Sequence, residues 1–111
     1  MADQPTTAKE ILETLARSVS PEKLGDLNAV VEFDLAGTGG GMWHVQVANQ
    51  RLAVFDGPAD GPALSLSMPA SDFALLTQGK LNPMSEFMTG NIKLKGDMAL
   101  AMRMLGLLRA G

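Results

Sequence analysis

His44 is the only histidine in the chain, and Glu32 and Asp34 are the carboxylates that fall nearest to it on neighbouring extended stretches. One imidazole and two carboxylates can hold a divalent metal. Here all three occupy the polar positions of alternating stretches, which is the pattern of a solvated sheet face. Ser65, Ser67 and Ser71 offer hydroxyls, but a serine nucleophile needs a base within hydrogen-bond reach, and no second histidine exists to supply one. The chain has no cysteine, so thiolate chemistry, disulfides and the commoner structural zinc sites are absent. Gly37-Thr38-Gly39-Gly40-Gly41 is glycine-rich but lacks the Lys-Ser/Thr of a phosphate loop, and it joins two strands rather than a strand to a helix. These residues predict no catalytic group, no metal and no cofactor, and the chain is not expected to be an enzyme on its own.

Charge and composition exclude further classes. The formal net charge is −3 and only five residues are aromatic, with no basic run, so no nucleic-acid partner is expected. Residues 1–60 carry 4 basic and 9 acidic side chains, whereas residues 61–111 carry 5 basic and 3 acidic. A mildly positive half suits an anionic head group. No stretch approaches the ~18 consecutive apolar residues of a membrane span. Met1-Ala2-Asp3-Gln4-Pro5 has neither the basic start nor the apolar run of a secretion signal, and Arg109-Ala110-Gly111 does not match a Ser-Lys-Leu tail. The expected location is cytoplasmic, and 111 residues suffice for one domain, residues 1–111.

The elements follow from periodicity and punctuation. Thr7 to Glu10 reads as a capping box, and Ala8, Ile11, Leu12, Leu15, Ala16 and Val19 recur at helical spacing up to Ser20-Pro21. Leu27, Ala29, Val31, Phe33 and Leu35 alternate with polar residues as one strand. Trp43, Val45 and Val47 mark a second, a tight turn falls near Asn49-Gln50, and Leu52 and Val54 mark a third. These three predict an antiparallel meander. After a Gly/Pro-rich loop, Leu64, Leu66 and Met68 form a fourth strand, and Pro69 opens a helix holding Phe73, Leu75 and Leu76 that stops at Gly79. Asn82-Pro83 caps a short helix, Ile92 and Leu94 mark a fifth strand, and Asp97 starts a last helix to about Arg109. The fold class is α+β: one five-stranded, mainly antiparallel curled sheet with helices on its apolar face. Strand order is not legible from periodicity.

The last helix differs in kind from the first. Met98, Ala99, Leu100, Ala101, Met102, Met104, Leu105, Leu107 and Leu108 leave Arg103 as its one interior charge. A helix that is apolar all round is either buried on every side or faces an apolar partner. Core, dimer or membrane contact, and a lipid cavity against the sheet all fit that pattern. Six of the eight methionines fall in residues 68–104, and methionine suits irregular apolar partners because it is flexible and polarizable.

Residues 79–105, from Gly79-Lys80 through Asn82-Pro83, Phe87, Gly90, Lys93, Lys95 and Gly96-Asp97 to Leu100-Ala101-Met102, closely resemble the sterol carrier protein type 2 family. The likeness extends more loosely over residues 7–109. It implies an apolar tunnel between sheet and helices and the binding and transfer of fatty acids, fatty acyl-CoA, sterols or phospholipids. On that basis Phe73, Leu76, Met84, Phe87, Met88, Met102, Leu105 and Leu108 are expected to line the lipid site. Expected partners are a lipid or fatty acyl ligand and, transiently, a membrane, with the protein a monomer or a dimer. The rival expectation is an interaction module of a lipid-metabolism enzyme, docking through the apolar last helix.

Overall fold

The computed structural model describes residues 8–108, with the side chain of Leu108 outside the description. The cap residue Thr7 and the helix end at Arg109 also lie outside it. Ten elements follow in the order α1 (Ala8–Ser18), α2 (Pro21–Leu24), β1 (Ala29–Ala36), β2 (Gly41–Ala48), β3 (Arg51–Asp56), β4 (Leu64–Pro69), α3 (Ala70–Thr77), α4 (Pro83–Met88), β5 (Lys93–Gly96) and α5 (Met98–Leu108).

The five strands form an open sheet ordered β3-β2-β1-β4-β5. β1, β2 and β3 are the expected antiparallel meander, with Val31 opposite Val45 and Val45 opposite Val54. The β2–β3 turn has Asn49 at φ 54° and Gln50 at φ 61°. Two successive left-handed residues make a type I′ turn, whose twist matches the strands it joins. β4 then lies on the far side of β1 and runs parallel to it, with Leu66 opposite Phe33, and β5 closes the sheet antiparallel to β4.

The loop from β3 to β4 therefore crosses two strands. It is held at its start by the His44 Nδ1–H, which donates to the Gly57 carbonyl at 3.0 Å. At its end the Ala63 amide donates to the Val30 carbonyl at 2.9 Å.

Alternation separates the two sheet faces as the sequence requires. Val31, Phe33, Leu35, Val45, Val47, Leu52, Leu64, Leu66 and Met68 are buried, with Trp43 and Val54 packed beside them. Trp43 needs Gly41 (φ 152°) two residues before it, because a Cβ there would approach the indole Cη2 to 2.9 Å. α1 packs on β3, α3 on β1 and β4, and α5 on β4 and β5, so the helices share the apolar face. Phe73 of α3 meets Phe33 of β1 edge-on, with ring centroids 5.8 Å apart. Among the described residues no polar or charged side chain is buried. No helix among them is long and apolar enough to cross a membrane.

Two local features differ from expectation. Ser20-Pro21 ends α1 but also starts α2, because proline is well placed at a first helical position. Pro69 is the last residue of β4 rather than the first of α3; its ψ of 142° is extended, and it serves as the helix N-cap.

Candidate functional site

The C-terminal elements build a cleft. Asn82 caps α4: its Oδ1 accepts from the Met84 amide at 2.9 Å and the Ser85 amide at 3.3 Å. Pro83 follows at the first helical position and is buried, which anchors the helix start. Met84 and Met88, four residues apart, share the outward face of α4 and are exposed. Asp97 caps α5 in the same manner, its Oδ1 accepting from the amides of Ala99 and Leu100.

α5 resolves the question its composition raises. Leu100, Ala101, Met104, Leu105 and Leu107 are buried in the domain, whereas Met98 and Met102 stay exposed. Met98, Met102 and Gly106 recur every four residues, so one outward stripe remains beside α4. The start of α4 and this stripe enclose an open cleft of about 250 Å³, lined by Asn82, Pro83, Met84, Met102, Leu105 and Gly106. Gly106 borders open space: a Cβ there would meet nothing within 4 Å. On the other side of α5 a hollow of about 350 Å³ is bounded by Leu27, Asn28, Ala29, Ala63, Asp97, Ala99, Leu100 and Arg103.

Of the residues expected to line a lipid site, the cleft brings together Met84, Met102 and Leu105. Phe87 is half-buried against the core, and Met88 is 76% exposed beyond the cleft. Phe73 and Leu76 have no solvent exposure and lie deeper, in the core. The side chain of Leu108 lies outside the described residues. Asn82, Pro83 and Gly106 line the cleft without having been expected there. Their signals were the Asn-Pro cap and a glycine inside an otherwise apolar helix.

The polar sheet face offers no second site. Glu32 sits opposite His44 across β1 and β2, while Asp34 sits opposite Met42. His44 stacks on Phe55, with centroids 5.2 Å apart. Among the described residues, no group of three or more His, Cys, Asp or Glu side chains could hold a metal ion.

An open five-stranded sheet with helices on one face is a fold that this chain has in common with solved proteins. The chain belongs to the SCP-2 sterol transfer family, whose model matches residues 8–109. Hydroxysteroid dehydrogenase-like protein 2 of Danio rerio is 33% identical over 96 residues, covering 86% of this chain and 23% of that protein. The chain thus spans less than a quarter of the length of the curated relatives it matches. A palmitated SCP2L2 from Aedes aegypti superposes with a TM-score of 0.72 at 19% identity, over 93% of this chain and 95% of that one. A stereoselective inverting sec-alkylsulfatase from Pseudomonas sp. matches with a TM-score of 0.82 at 15% identity, over 95% of this chain and 17% of that one. At such identities the structural matches establish the fold.

Proposed function

We propose that this chain carries a single apolar lipid-like ligand, an acyl chain in the first instance, in the cleft between α4 and α5. Lipid binding and transfer is the coarse function that membership of a sterol transfer family implies. The observation that carries the finer reading is the facing pair Met84 and Met102, two flexible apolar arms across an open cleft. The palmitated state named for the Aedes aegypti relative supports the acyl class. So does the energetic scale. Burying an acyl chain of about 14 methylenes contributes about 11 kcal/mol gross, and association costs at least ~4 kcal/mol. Micromolar affinity then follows without any specific polar contact.

At about 250 Å³ the cleft is smaller than a typical ligand pocket. The long thioether side chains of Met84 and Met102 therefore swing aside as the ligand enters. Nothing in this function asks for catalysis; the domain holds its ligand and hands it on, by transient contact with a membrane or with an enzyme.

Titration with a fluorescent fatty-acid analogue tests the reading. One-to-one saturation is expected, together with a rise in melting temperature, since a ligand that binds only the folded state stabilises it. Absence of saturable binding up to about 100 μM, several times the micromolar affinity expected, would falsify it.

A further inference from the structure

Six large hydrophobic side chains among the described residues are exposed, and four of them are methionines on the two helices that wall the cleft. Met84 is 43% exposed, Met88 76%, Met98 46% and Met102 51%. They form two pairs four residues apart, one pair on each helix face, and Met84 and Met102 share the cleft. Met68 and Met104, by contrast, are 4% and 0% exposed within the core. Leucine has a comparable volume; methionine differs from it in flexibility and in carrying a sulfur lone pair that peroxides oxidise when they can reach it.

We propose that Met84 and Met102 form a peroxide-sensitive modification site that sets the affinity of the cleft for its apolar ligand. The inference rests on the carrier reading above. In the step itself, the thioether sulfur attacks a peroxide oxygen. The S–O bond forms as the O–O bond breaks, and the departing oxygen takes up the proton and leaves as water, or as an alcohol from an alkyl hydroperoxide. Sulfur is oxidised by two electrons and the peroxide is reduced by two. The product sulfoxide places a strong dipole where an acyl chain offers no hydrogen-bond donor. An unpaired polar group buried in this way lowers affinity by about tenfold or more. Methionine sulfoxide reductases reverse the modification, so the change is a switch rather than damage.

The test treats the protein with graded hydrogen peroxide, maps sulfoxides by peptide mass spectrometry and titrates a fluorescent fatty-acid analogue before and after. Near-ultraviolet circular dichroism reports whether the fold persists. In each variant the quantity read is the ratio of its own affinities after and before treatment. Sulfoxide is expected at Met84 and Met102 while Met68 and Met104 remain thioethers, with affinity falling about tenfold and recovering after reductase. In a Met84→Leu/Met102→Leu variant the ratio stays near one, because leucine keeps the volume without the sulfur. In a Met88→Leu/Met98→Leu variant it falls as in the natural sequence. If the first double variant does not fold, the single variants Met84→Leu and Met102→Leu are compared, each retaining part of the effect.

Oxidation of Met84 and Met102 no earlier than Met104 overturns the proposal. So does full oxidation of both with an unchanged ratio, or an equal loss in the double variant. An untreated protein that binds no probe instead overturns the carrier reading and the ligand half of this one, while the sulfoxide map still decides the site.

Discussion

Arg103 of α5 reaches the C-terminal end of α2, where its Nη2 donates to the Leu24 carbonyl oxygen at 2.8 Å across 79 positions of chain. It is the single charged residue of α5. The same carbonyl accepts from the Leu27 amide at 2.9 Å, so the guanidinium completes a helix end that the turn already engages. A cation is favourable there because the last carbonyls of a helix carry partial negative charge.

Arg103→Ala should therefore lower the unfolding free energy by about 1–2 kcal/mol, the range for a hydrogen bond to a charged group at a partly exposed site. Urea denaturation reads this as a lower midpoint with an unchanged slope. A midpoint equal to that of the natural sequence would mean that the contact between α5 and α2 contributes nothing to stability.

Core and cleft should separate under substitution. Phe73→Ala, at a position with no exposure and an edge-on contact to Phe33, should cost about 3–5 kcal/mol. Met102→Ala, at a half-exposed position, should cost less than about 1 kcal/mol while changing affinity for a fatty-acid analogue. Met102→Glu should leave folding intact and reduce that affinity at least about tenfold, because the carboxylate would lie against an acyl chain. Leu105→Glu should damage folding as well, since Leu105 is only 3% exposed. Equal loss of stability in Phe73→Ala and Met102→Ala, with binding per folded molecule unchanged, would remove the cleft as the ligand site.

The turn between β2 and β3 offers a stabilising change. Gln50 holds φ 61° with a side chain that disfavours it. Asn-Gly is the preferred pair for this turn, so Gln50→Gly should raise stability by about 0.5–1 kcal/mol. A thermal midpoint that does not rise would show that the side chain of Gln50 compensates its own strain.

Local elements were legible because their signals are local. Alternation marked Val31, Phe33 and Leu35 as one face of β1, and Asn82-Pro83 marked the start of α4. The expected helices on one sheet face follow from the same alternation. The position of β4 beside β1 was not legible, because period-two alternation says which face a residue takes and nothing about which neighbour it pairs with. Of the residues expected to line the lipid site, Phe73 and Leu76 are fully buried and apart from the cleft. For α5, composition left core, partner and cavity open; only packing separates Met104, which is buried, from Met102, which is not. Spacing puts the two on opposite faces of the helix, and residue type does not say which face is buried.

The parallel pairing of β1 with β4 has a consequence for how the chain assembles. β1, β2 and β3 join through short turns, so their ladder forms from near neighbours. Val31 meets Leu64 only after the intervening chain has closed on itself, and that closure entropy must be met before the new contacts reward it. Everything that walls the cleft follows β4 in the chain, so it is expected to close after the β1–β3 ladder and to open before it. Native-state hydrogen exchange should find the amides of β1 and β2 slowest and those of α4 and α5 markedly faster; uniform protection would contradict this order. Such an order would let the later half of the chain open locally while the β1–β3 ladder stays paired.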